Sequence, residues 1–124
     1  MKPLRQPSEN IRALEELIIK RAVGRVSYSG GACGVPLYKD KDAAVQRLFL
    51  PAGAKFETHV HPVTEVIIVL EGRLQSTSPL ITAVTEVAGV IVYPPNIPHS
   101  HQAEADCVFL GILVPCNGGY PDVK

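Results

Sequence analysis

Eleven prolines and ten glycines in 124 residues leave little room for long uninterrupted elements. They cut the apolar residues into many short runs, separated by clusters such as Ser29-Gly30-Gly31, Pro51-Ala52-Gly53 and Pro94-Pro95. Short runs between turn-forming residues are the pattern of an all-β barrel or sandwich. Strands are expected over residues 25–28, 35–38, 43–50, 55–61, 65–70, 73–77, 80–87, 90–93, 99–103 and 107–114.

One segment departs from this pattern. Over residues 8–20, Ile11, Leu14, Leu17 and Ile18 recur at helical spacing, with charged residues between them. Ser8 can cap the start, Glu9 suits the first turn, Lys20 and Arg21 suit the end, and Gly24 can stop the helix. The expected organisation is therefore an amphipathic helix and arm over 1–24, a barrel over 25–115 and a tail over 116–124.

With 46% hydrophobic and 19% charged residues, the chain can bury a core, and its length suits a single domain. Formal net charge is zero and no Lys/Arg run occurs, so neither nucleic acid nor a membrane surface is an expected partner. No apolar stretch approaches the ~20 residues that span a bilayer. The first residues lack the apolar core of a signal peptide, so the expected compartment is the cytoplasm. Cys33, Cys107 and Cys116 are far apart and odd in number, which suits reduced thiols rather than a disulfide framework or a thiolate zinc site.

The chemistry concentrates between Gly53 and Gly72. His59 and His61 are two residues apart. In a regular strand they share a face, with Cα atoms roughly 6.5–7 Å apart, so both imidazoles can reach one ion. Pro62 should end or bend that strand. Glu65 opens the next apolar strand, where a carboxylate is unfavourable to bury without a cationic partner. His99 arrives from far along the chain, behind the proline-stiffened loop 94–98. Three imidazoles and one carboxylate suit Mn, Fe, Co, Ni, Cu or Zn better than Ca or Mg.

The spacing Gly53-x5-His59-x-His61-x3-Glu65-x6-Gly72 resembles the first motif of the cupins, and Gly89-x4-Pro94-x4-His99 is similar to the second. Three positions depart from the usual pattern. Asn96 stands where a turn glycine is common, Ala103 where Asn is common, and Val90 where Asp is common. Asn tolerates the left-handed conformation that such a turn needs. The resemblance implies a double-stranded β-helix, or jelly-roll barrel. It also implies one divalent transition metal on His59, His61, Glu65 and His99, and paired barrels in a homodimer.

Regular alternation would place Glu57, Ile67 and Val69 on the ligand side, with Thr58, Val60, Val66 and Ile68 outside. The inner wall would then be mostly apolar, suited to a small organic molecule with one chelating polar end, such as a carboxylate. His101 shares a face with His99 and is a candidate proton donor or substrate contact, or else a rim histidine. Glu57 is the second candidate acid/base. Tyr93 lines the pocket or packs. Of Gln46 and Arg47 one must face inward, and an inward Arg47 would select an anion. Cupins of this size include dioxygenases, isomerases, decarboxylases and lyases. The expectation within that range is a metal-dependent dioxygenase or other oxidoreductase. The alternatives are isomerase or lyase chemistry, favoured by an acid/base group deep in the cavity, and a non-catalytic metal-anchored sensor or carrier.

Overall fold

The computed structural model describes residues 26–116 and Tyr120. The helix expected over residues 8–20 lies outside them. Ten strands follow in order: β1 (Val26–Ser27), β2 (Cys33–Lys39), β3 (Ala44–Leu50), β4 (Lys55–His59), β5 (Thr64–Glu71), β6 (Leu74–Thr77), β7 (Thr82–Thr85), β8 (Val90–Tyr93), β9 (His99–Ala103) and β10 (Cys107–Val114). They form two antiparallel sheets. One has six strands in the order β1-β2-β3-β10-β5-β8, and the other has four in the order β4-β9-β6-β7. Among the described residues no helix is long and apolar enough to cross a membrane.

Alternation in β3, β5 and β10 builds the inner face of the larger sheet. Leu48, Phe109 and Val69 form one inward row across three strands, Gln46, Gly111 and Ile67 the next, and Ala44, Leu113 and Glu65 a third. All nine are buried. Along the first two rows and into the facing sheet, Leu50, Leu74 and Cys107 complete a dry core. Burying a side chain the size of Phe109 or Leu50 contributes about 1.5–3 kcal/mol each. The third row differs, because its third member is a carboxylate.

Gln46 takes the inward position and Arg47 the outward one. The buried amide is satisfied because Tyr28 Oη donates to its Oε1 at 2.8 Å. Cys33 and Cys107 are buried free thiols, and Cys116 is partly buried.

Two turns fix the strand ends around the site. Gly72 has φ of 82°, and a Cβ there would lie 2.1 Å from the Asp106 carbonyl oxygen, so the β5–β6 turn accepts only glycine. Asn96 has φ of 66°, the left-handed conformation expected of it. Its backbone N–H donates to His61 O at 2.8 Å, which ties the proline loop to the segment after β4.

Regular alternation fails in β4. Phe56 pairs with His101 and His59 with His99, so three steps along β4 match two along β9. The extra residue is a β-bulge, which turns Glu57 and Thr58 both outward and returns His59 to the inside. The inward position expected for Glu57 is therefore corrected. Its side chain is 82% exposed and lies 3.9 Å from Lys55 Nζ at the surface.

Candidate metal centre

Each donor comes from a different local device. His59 is the last residue of β4, returned inward by the bulge. His61 lies beyond the strand end, in the irregular stretch before the bend at Pro62 and Val63, so it converges with His59 outside any shared strand face. Glu65 is the second residue of β5 and is 2% exposed. His99 opens β9 directly after the proline loop and is equally buried. One ligand atom from each of the four lies within 4.8 Å of every other. Two metal–ligand bonds of ~2.1 Å placed in line span ~4.2 Å, so a small rotation of one side chain closes the set on a single ion.

The hydrogen bonds show what these nitrogens present. His59 Nδ1 lies 2.8 Å from Glu57 O, and His99 Nδ1 lies 2.9 Å from Ile97 O. A carbonyl oxygen only accepts, so both rings carry their proton on Nδ1. A neutral ring of that tautomer has its lone pair on Nε2. Yet His99 Nε2 stands 2.8 Å from Glu65 Oε1, and the buried His61 Nε2 stands 3.2 Å from Oε2 without hydrogen-bond geometry. Lone pairs aimed at a carboxylate repel it. An imidazolium relieves that for one ring; a cation relieves it for all of them at once. The donor set therefore fits a metal ion, which His59, His61, Glu65 and His99 would hold.

Electrostatics agree with this geometry. Burial alone would raise the Glu65 carboxyl, but N–H and O–H groups of His61, His99 and Tyr120 turned toward it outweigh burial and hold it well below the usual carboxylate range; where the ring nitrogens present lone pairs instead, a cation would have to take the place of those protons. Burial pushes His59 down, which favours the neutral, ligating form. Burial likewise pushes His101 down to about 3.

The remaining residues named from the sequence sit as follows. His101 is 2% exposed, lines the cavity and is held by Ser76 Oγ, 2.8 Å from Nδ1. Its Nε2 has no hydrogen-bond partner among the described residues. Tyr93 packs: its ring stacks on His99 with centroids 4.0 Å apart and planes 9° from parallel. It fixes the orientation of that imidazole. Glu57 is outside, as described.

Sequence reasoning missed Tyr120, in the segment set aside as a tail. Its hydroxyl donates to Glu65 Oε2 at 2.6 Å. The one trace was Gly111 inside an otherwise apolar strand, a sign of close approach by another group. A Cβ at Gly111 would lie 2.2 Å from Tyr120 Oη.

These groups border a cavity of about 290 Å³. Its apolar side is Tyr28, Leu48, Phe56, Ile67 and Phe109; its polar side is His59, His61, Glu65, His101 and Tyr120. Among the described residues no Lys or Arg lines it.

No protein-family model matches the chain, and no curated protein sequence does. Solved structures do. An RmlC-like cupin from Shewanella frigidimarina NCIMB 400 aligns over 80% of this chain and 88% of its own, with TM-score 0.73 and 16% identity. KdgF from a Halomonas species aligns over 77% and 90%, with TM-score 0.71 and 15% identity. An uncharacterised conserved protein with a double-stranded β-helix domain, from Klebsiella pneumoniae, aligns over 86% and 94%, with TM-score 0.68 and 15% identity. Identities this low speak for architecture alone, and the architecture they share with the two sheets described above is the cupin fold.

Proposed function

We propose that this chain is an enzyme that holds one divalent transition-metal ion and uses His101 to move a proton on a small organic molecule. The observation that carries this reading is the placement of an unpartnered, buried His101 Nε2 in the same cavity as four convergent donors. When bound, the metal would supply Lewis-acid polarisation of a substrate oxygen. The chain's own residues do the rest. Ser76 holds the His101 ring through Nδ1, and Nε2 of this cavity-lining residue is left without a hydrogen-bond partner among the described residues. A buried imidazole kept neutral has a lone pair or an N–H to offer a substrate group, and a substrate that lifts its pKa from the low value that burial imposes would let it carry a proton. Leu48, Phe56, Ile67 and Phe109 seat an apolar body and keep water from the reacting end. With Arg47 outside, an anionic end would meet no Lys or Arg among the described lining residues and would bind through the metal.

Oxygen-dependent oxidation needs only the metal and an open position, so His101 is the feature that favours isomerase or lyase chemistry over it. The test combines elemental analysis of the purified protein with incubation of small carbonyl compounds in D2O. Metal-dependent deuterium incorporation beside the carbonyl, lost in His101→Gln, is the expected result. Oxygen uptake without deuterium incorporation would replace this reading with a dioxygenase, and tight binding without product would replace it with a carrier or sensor.

The proposal carries a cytoplasmic homodimer as well. Exposed Val90 and Val92 of β8 stand beside Val66 and Ile68 of β5 on the outer face of the larger sheet, an apolar surface suited to a second copy. A monomer in sedimentation velocity at micromolar concentration would remove the dimer.

A further inference from the structure

We propose that Tyr120 is a positioning residue for Glu65: its hydroxyl engages one carboxylate oxygen, so that the side chain offers a bound metal a single, oriented oxygen. This rests on the metal-centre reading and deepens it.

The contact itself is strong. Tyr120 Oη donates to Glu65 Oε2 at 2.6 Å, within the ~2.5–2.7 Å range of charge-assisted O–H···O⁻ bonds. Both partners are buried, Tyr120 at 9% and Glu65 at 2% exposure. A carboxylate oxygen accepts and the phenol O–H donates, so the hydrogen bond has a fixed direction.

Three elements hold the phenol there. Lys39 Nζ donates to the Tyr120 carbonyl oxygen at 2.9 Å and anchors the backbone. Ala44, Val63 and Leu113 pack around the side chain. Gly111 in β10 supplies the space for the hydroxyl, since a Cβ there would come within 2.2 Å of Oη and 3.1 Å of Cζ. A glycine in the middle of a core strand weakens packing, and here the missing side chain is what lets the phenol reach the carboxylate.

The consequence lies in the carboxylate. Its Oε1 faces His99 Nε2 and its Oε2 faces His61 Nε2. Without a further contact, either oxygen or both can turn toward an ion. The phenol O–H breaks that symmetry. The phenol takes up one lone pair of Oε2 and fixes the rotation of the carboxylate, which makes Oε1 the freer oxygen for an ion. An oriented ligand loses less freedom on binding, and outer partners of this kind typically change metal affinity ~10–100-fold.

The test uses the full chain, freed of metal by chelation and titrated with Co(II). Tyr120→Phe keeps the ring and removes only the hydroxyl. The expected result is ~10–100-fold weaker Co(II) binding by calorimetry together with a changed visible absorption spectrum, since the spectrum reads the ligand arrangement. Gly111→Ala displaces the hydroxyl without altering Tyr120 and should produce the same spectral change. In the Tyr120→Phe background, Gly111→Ala should add less loss than it does alone, because the displaced atom is already gone. An affinity within about twofold of wild type and an unchanged spectrum in Tyr120→Phe overturn the positioning role. Weaker binding with an unchanged spectrum overturns it too, since packing alone explains that. If the unsubstituted chain takes up no Co(II), Mn(II), Ni(II) or Zn(II), the metal-centre reading fails and takes this inference with it. The wild-type titration thus separates the two failures.

Discussion

On one side of the cavity, Tyr28, Phe56 and Phe109 meet edge to face, with ring centroids 5.4 and 6.2 Å apart. On the other, His59, His61 and His99 crowd to between 4.4 and 5.8 Å around Glu65. The two sides join where His101 approaches Phe109 at 5.9 Å. Spacings are alike, but the aromatic side is held by packing that has little directional demand, and its one buried amide, Gln46, is hydrogen-bonded. On the imidazole side polar contacts are directional, and His61 and His101 each leave an Nε2 without a hydrogen bond among the described residues, although His61 Nε2 lies 3.2 Å from Glu65 Oε2. Buried polar groups without partners are unfavourable. The difference teaches where the fold keeps its stability and where it keeps its chemistry.

The comparison breaks first if the aromatic side proves dispensable. Phe109 is 1% exposed and packs on Phe56 and His101. Phe109→Ala should lower unfolding stability by about 3–5 kcal/mol, read by urea denaturation. Metal stoichiometry should persist wherever the variant stays folded. Loss of metal at full stability would mean that the two sides are one unit.

The second test strikes the other side. His59→Ala should weaken metal binding by more than ~100-fold, at least ~2.7 kcal/mol, because it deletes a donor rather than an outer partner. Calorimetric titration measures it, and the melting temperature of the chelator-treated variant should stay near that of the chelator-treated parent. A variant with unchanged stoichiometry and affinity would take His59 out of the donor set.

The two sides were not equally legible. Strands β8, β9 and β10 begin and end where residue type predicts, since Gly89, the proline loop and the 104–106 turn leave them no alternative. The four donors were legible because their spacing is local, apart from His99, and the proline loop announces that one. The bulge in β4 was not. Nothing in Lys55-Phe56-Glu57-Thr58-His59 marks an extra residue, because the register is set by β9, which is distant in sequence. Tyr120 was hidden for the same reason. Its partner Glu65 lies 55 positions away, and only the glycine at 111 records the approach.

A smaller effect sharpens the contrast through pH. In chelator-treated protein, His101 sits near 3, below its ordinary value of 6.5, because burial disfavours the charged ring. The unfolded chain therefore binds this proton more readily, and stability rises with pH across the window. The contribution is fully present above pH 6.5 and is lost as pH falls toward 3. Between pH 6.5 and 5 the loss should amount to about 2 kcal/mol. His101→Gln should show a correspondingly flatter profile in that interval, read by denaturant titration at each pH. Equal slopes would mean that His101 reaches water. The Glu65 carboxylate acts in the same direction but lower down, since its stabilisation is lost only as pH falls below the ordinary carboxylate range.

The smallest expected effect is the one that regular alternation would have made large. If β4 were unbroken, Glu57 would share a face with His59, and removing its carboxylate would disturb the centre. The bulge instead leaves it 82% exposed beside Lys55, where an ion pair contributes little. Only its carbonyl oxygen serves the site, as the acceptor for His59 Nδ1, and any residue supplies that atom. Glu57→Ala should therefore change stability by less than about 0.5 kcal/mol and leave metal affinity and turnover unchanged. Glu57→Pro is the sharper companion, because it keeps the carbonyl but constrains φ at the bulge. If Glu57→Ala abolished turnover at unchanged stability, the side chain would be the working part, and the outward placement of Glu57 would have to be abandoned; loss in Glu57→Pro alone would point to the backbone at the bulge.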